Sequence, residues 1–406
     1  MSDRAPFSLW DVATQDFRNP TPTERGWVIT TYSATTVIYA FPEIIIRTSS
    51  LPSPVPLTIA GLVAVFLPPG ASRSPLGVTT NYANPRLHDP VSHLQLAKWE
   101  LPAREIRAEI YGVLQELANI KAIYYMPPTI FVELVPDDDR VYNRHSLPGV
   151  VGGIPVEYHH SPTPFLAMGA QGRERLMDPG LNSAQDTANY SATGLSPGVR
   201  VESGPARRGG GYATTAMATT CGVLIRCNVG GPRLTVANHG FLGTDDVYHP
   251  HAGGVHIGEI TERFEALGIA LVQLYPSVAF QNTDYFQAQP PKRLLRSSEI
   301  RYNTWCSLDS MSTGLVFLRV CGVADDKPPR PPGITVPFTE FRTANVYQCI
   351  GPIGGVVREG ICGAPIVADD PNDGGVLGFF QLGEENCEWA KSPCLDDLLD
   401  RGWSLL

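Results

Sequence analysis

The chain has 406 residues, 43% hydrophobic and 17% charged, so it can bury two or three cores and is not a disordered polymer. A formal net charge of -9 and a pI near 5.5 offer nucleic acid and anionic membranes no favourable long-range field, which argues against both as partners. The opening MSDRAPFSLWDVATQDF has no basic segment followed by an apolar core, and the apolar run Leu57 to Leu67 is too short to span a bilayer; an intracellular, cytoplasmic protein is the expectation.

In chain order, residues 1–25 are polar and proline-rich and read as a poorly ordered lead-in. From Trp27 to Arg47, β-branched and aromatic residues predict strands broken at Pro42, and Leu57 to Leu67 predicts a further buried strand or short helix. Pro102 opens the clearest helix. Ile106, Ile110, Val113, Leu114 and Leu117 share one face, with Arg104, Glu105, Glu109 and Glu116 towards water. Ile120 to Tyr125 and Thr129 to Val135 form a hairpin through Met126-Pro127-Pro128, and Gly153 to Tyr158 adds a third strand after the acidic loop Asp137-Asp138-Asp139. The expectation here is a helix laid on a small sheet, with the acidic triplet a solvated loop. Ser161 to Gly211 is rich in Pro, Gly, Ser, Ala and Asn and reads as a linker, in which Arg207 and Arg208 form a solvated basic turn.

In the second half, Cys221 to Ile225 predicts a strand, and RLTVANHGF, Arg233 to Phe241, is an apolar strand ending in a small-residue turn that carries His239. The histidines of YHPHAGGVHIG, His249, His251 and His256, have no carboxylate or cysteine among them at ligand spacing, so no metal and no cofactor is expected. Strand-like runs recur at Asn303 to Leu308, Gly314 to Cys321 and Thr343 to Ile350. Eight cysteines, without a paired Cys-x-x-Cys pattern, suit reduced core thiols in a reducing compartment.

The stretch Glu359 to Val367, EGICGAPIV, places Cys362 on a tight turn between Gly360 and Gly363, where the amides of Gly360 and Cys362 can converge on a developing oxyanion. It resembles the Gly-x-Ser-Gly-x-Pro loop of the two-barrel, chymotrypsin-like peptidases, with cysteine for serine as in the viral 3C-like branch. His239 matches the base of that family's Thr-Ala-Ala-His-Cys motif, with Gly240 replacing the cysteine. The strand GIALVQL matches the family's Asp-Ile-Ala-Leu-Val-x-Leu, except that Gly268 stands where the catalytic aspartate would be; Glu265 or Asp284 is the expected substitute. Ile361 replaces the aspartate that pairs with a freed N-terminus in trypsin-type activation, so the resemblance implies a site formed without that switch. It also implies that Val356 bounds the primary specificity pocket and that Gln381, Leu382 and Gly383 line the substrate backbone.

The fold expected is α+β and multidomain: an N-terminal α/β domain at 1–160, a linker at 161–211, and an antiparallel double β-barrel of chymotrypsin type at 212–406. The N-terminal part is loosely similar to the small domain that precedes the barrels in some bacterial and plant trypsin-like proteins. The expected function is a Cys-His peptidase acting on protein or peptide substrates. The alternative is a barrel that has lost turnover and serves as a protein-binding module, a reading favoured by Gly268.

Overall fold

Thr21 caps a helix that the proline-rich opening conceals. Its side chain accepts from the Glu24 amide at 3.3 Å while the Glu24 carboxylate accepts from the Thr21 amide at 2.7 Å, and Pro22 occupies the first turn, so the helix Pro22–Thr31 forms where a lead-in and a strand were expected. The computed structural model describes residues 5–50, 52, 56–69, 82–135, 145–159, 195–204, 207–208, 211–212, 217–228, 230–328, 336–350, 360–370, 373–383 and 389–406. The acidic triplet at 137–139, most of the expected linker and Val356 lie outside them.

The chain forms two compact units, Met1–Leu76 and Gly77–Leu406. In the first, strands Thr36–Ala40, Glu43–Arg47, Leu62–Leu67 and Thr58–Ile59 make a four-stranded sheet in that order, packed through Ile44, Ile46, Ile59 and Leu62 against Leu9 and Val28. The run Leu57 to Leu67 is thus two short strands turning at Ala60-Gly61.

The second unit takes in residues on both sides of 160, for a reason visible in strand pairing. Helix Arg104–Leu117 lies on Ile120–Met126 and Thr129–Leu134 as expected, but Ile120–Met126 also pairs antiparallel with Val316–Asp326, Tyr125 opposite Val323. The expected small sheet is therefore the edge of a twelve-stranded sheet that continues through Trp305–Leu308, Pro365–Ala368 and Gly375–Phe379. The helix face is rotated from the expected stripe: Arg107, Ile110, Tyr111 and Leu114 are buried while Leu117 is exposed. Arg107 is tolerated inside because its guanidinium pairs with Asp325 at 2.9 Å.

An eight-stranded sheet carries His239. Its order runs Ala218–Thr220, Arg200–Ser203, Asp246–His249, Val255–Phe264, Ile269–Leu274, Arg233–Ala237, Leu224–Arg226 and Ser404–Leu405. One of these lies outside the expected second half: Arg200–Ser203 sits in the region expected as linker, and it is fully buried between two neighbours. Ala218–Thr220 and Leu224–Arg226 flank Cys221, where one strand was expected. The described part of the chain is mostly β with few helices, and among its residues no helix is long and apolar enough to cross a membrane.

Candidate active site

Cys362 and His239 come from different sheets, and a single turn holds their backbones together. The Thr220 amide donates to Cys362 O at 2.9 Å and its Oγ1 donates to Gly360 O at 2.6 Å. Gly363 has φ +99, and a Cβ there would run into Thr220 O and lie 3.1 Å from Ala237 N. Only glycine fits so close an approach. Ala237 ends the strand that leads into the short 3-10 turn Asn238–Phe241, so the turn carrying Cys362 lies on the backbone two residues before His239. Cys362 is half-buried and His239 exposed. Gly240 packs on Thr219 with no room for a side chain, which accounts for the glycine where the resemblance has cysteine.

Gly360 has φ +90, a left-handed conformation that glycine adopts without steric cost. A Cβ there would sit 2.7 Å from Ser312 Oγ, a buried hydroxyl with no hydrogen-bond partner among the described residues. Ser312 was not legible from the motifs, because it reaches the turn from a loop some fifty residues earlier in the chain. Tyr285 supports the turn from below: its hydroxyl donates to Pro365 O at 2.6 Å and accepts from Asp309 N at 3.0 Å.

The histidine turn is braced by charge. Asn238 Nδ2 donates to Glu265 Oε2 at 2.9 Å, Arg263 Nη1 donates to Asn238 Oδ1 at 2.6 Å, and Arg263 pairs with Asp245 at 2.6 Å. Of the two carboxylates expected to replace the missing aspartate, Glu265 thus lies beside the histidine turn in a bond to Asn238. Asp284 is exposed in the segment between the sheets. Gly268 has φ +61, and its carbonyl accepts from Asn238 N at 2.8 Å. Gln381 reaches this point: its carbonyl accepts from Cys362 Sγ at 3.4 Å and its Nε2 donates to Leu267 O. Leu382–Gly383 forms a short strand paired with Trp389–Pro393.

The other described cysteines form no disulfide with one another, and four of the six are buried. Burial pushes the Cys221 and Cys306 thiols far above their ordinary range and Cys394 up to about 12. A pocket of about 370 Å³ lies elsewhere, between the start of helix Arg104–Leu117 and the hairpin at Met126-Pro127, and its lining includes no Cys, His or Ser. Strand pairing sets Asp246 opposite Glu259 beside His256, their donor atoms within 4.8 Å, an adjacency that linear spacing does not reveal. Tyr275 donates to Glu259 there at 2.8 Å, and Tyr248 stacks on His256.

No protein-family model and no curated protein matches the chain. Among solved structures it is similar to proteases. Thermobifida fusca protease A is 13% identical, with 52% of this chain and 98% of that one covered at a TM-score of 0.34. The active form of the M. tuberculosis Rv3671c protease is 16% identical over 57% of this chain and 91% of that one, also at 0.34. A mutant of the Tobacco Etch Virus protease is 10% identical over 50% and 78%, at 0.25.

Proposed function

We propose that the chain is a cysteine peptidase in which Cys362 attacks a peptide carbonyl and His239 moves the proton. The observation that carries this reading is the nucleophile turn Gly360–Gly363, held by Thr220 and pressed against the strand that leads into His239. In this reading the eight-stranded sheet and the part of the twelve-stranded sheet after residue 300 are the two barrels, and residues 1–160 supply the N-terminal α/β region.

A free thiol has a pKa of about 8.5, and pairing with imidazolium lowers it to ~3.5–7.5, so the Cys362 proton, donated to Gln381 O in the resting structure, passes readily to His239 as the sulfur attacks. Its attack forms the C–S bond and places negative charge on the carbonyl oxygen, which the amides of Gly360 and Cys362 receive. The His239 imidazolium gives its proton to the departing amine as the C–N bond breaks. Water, deprotonated by the now neutral imidazole, then releases the acid and regenerates the thiolate. Gln381, Leu382 and Gly383 border the substrate strand. Seven free cysteines among the described residues support a reducing, intracellular setting.

A second reading, a peptide-binding module without turnover, is favoured by one observation: Gly268 provides no carboxylate. Cleavage of a peptide library by the parent, lost in Cys362→Ala while peptide binding persists, supports the enzyme. Equal cleavage by both proteins removes Cys362 from the chemistry, and binding without cleavage by the parent establishes the module.

A further inference from the structure

Gly268 leaves a space that another residue fills. A Cβ built on Gly268 would run into Gln381 Nε2 and lie 2.6 Å from Oε1 and 2.7 Å from Cδ, so the amide head of Gln381 covers the face from which a side chain at 268 would grow. Gly268 itself adjoins the histidine turn, because Asn238 N donates to Gly268 O at 2.8 Å and Ala237 pairs with Ile269. The amide is oriented: Nε2 is committed as a donor to Leu267 O, which assigns the remaining lone pairs to Oε1. The main chain of Gln381 meanwhile accepts from Cys362 Sγ at 3.4 Å. One residue thus touches the nucleophile with its backbone and the empty carboxylate place with its side chain.

We propose that Gln381 is the positioning residue for His239, its Oε1 accepting the Nδ1 proton in place of the absent carboxylate. The inference rests on the peptidase reading for its consequence, though not for its geometry. An amide acceptor fixes the tautomer with Nε2 free to face Cys362, as a carboxylate would, and adds no negative charge. A serine hydroxyl needs that charge to lose its proton; a thiol, already acidic, needs it far less. The other ionic groups near the turn are engaged with one another: Glu265 is bonded to Asn238, and Arg263 to Asn238 and Asp245. The exchange is also self-consistent sterically. With Gln381 in place, any side chain at 268 collides with its amide, and the φ of +61 at Gly268 disfavours such a side chain independently.

The test uses the full chain with 15N-labelled histidine, in the parent, Gln381→Met, which keeps the volume without an acceptor, and Gln381→Glu, which restores an oxygen. The His239 signal is assigned by its loss in His239→Ala, and melting curves confirm that each variant is folded. The expected result is an Nδ1–H tautomer in the parent, its loss in Gln381→Met, and its return in Gln381→Glu, with iodoacetamide modification of Cys362 at pH 7 falling at least ~tenfold in Gln381→Met. A parent-like tautomer in Gln381→Met overturns the proposal. If that tautomer persists while Cys362 reactivity still depends on His239, positioning by Gln381 fails and the peptidase reading stands. If the tautomer responds as expected but Cys362 is no more reactive than Cys227, the positioning holds and the peptidase reading fails.

Discussion

Gly360 and Gly363 concentrate the constraints of the site, and they separate two kinds of failure. At Gly363 a methyl group meets backbone atoms, Thr220 O and Ala237 N, at φ +99, so neither neighbour can yield without moving a strand. Gly363→Ala is expected to lower stability by at least the ~1–3 kcal/mol of a strained backbone position, read as a reduced denaturation midpoint. At Gly360 the obstacle is a hydroxyl, Ser312 Oγ, which can rotate, and the residue stands at the expected oxyanion donor. Gly360→Ala is therefore expected to lower kcat on a cleaved peptide by ~100- to 1,000-fold with a smaller loss of stability. A Gly360→Ala protein with parental kcat would remove this amide from the mechanism.

Elements from distant parts of the chain hold the site, and their contacts predict where it is fragile. Tyr285, in the segment between the two sheets, satisfies both Pro365 O and Asp309 N from a buried position. Tyr285→Phe leaves both unsatisfied, and a loss of about 1–3 kcal/mol is expected by chemical denaturation. Arg107 and Asp325 join helix Arg104–Leu117 to the strand Val316–Asp326 with both side chains nearly inaccessible; Arg107→Ala strands a buried carboxylate and is expected to cost about 3–5 kcal/mol. Such pairings explain what the linear chain disclosed. The strands after residue 300, the hairpin at Pro127-Pro128 and the turns carrying His239 and Cys362 have local signatures, period-two apolar runs and punctuating glycines, and appear near their expected places. The pairing that ties this hairpin to a later strand has no such signature, because the partner of Tyr125 is Val323, nearly two hundred residues away, and no local pattern marks that bond. The first helix was hidden differently: the Thr21 to Glu24 cap was present in the sequence, but the β-branched run after Trp27 suggested a strand. Gln381 was expected only as a lining residue of the substrate backbone, whereas its position over Gly268 exists only in three dimensions.

Across the whole molecule the ionisable groups set a pH response. Burial raises the carboxyls of Asp309, Asp325 and Asp369 above their ordinary range, so the folded chain holds more protons than the unfolded one between the unfolded and folded pKa values. Their contribution is complete below the ordinary carboxylate pKa and is lost as pH rises through the folded values. Glu24 has the opposite sign: the Arg18 hydrogen bond lowers it to about 2, so its contribution disappears as pH falls towards that value. Denaturation midpoints measured from mildly acidic to neutral pH are expected to show a shallower fall in Asp309→Asn than in the parent; identical slopes would contradict the assignment. The central claim, that Cys362 and His239 form a working pair, is tested most directly by the iodoacetamide modification rate of every cysteine across about pH 5 to 9, resolved by peptide mass spectrometry in the parent and in His239→Ala. Cys362 is expected to react far faster than Cys221, Cys306 and Cys394 below neutrality and to lose that advantage without His239. A Cys362 that behaves as an ordinary half-buried thiol in both proteins would contradict it.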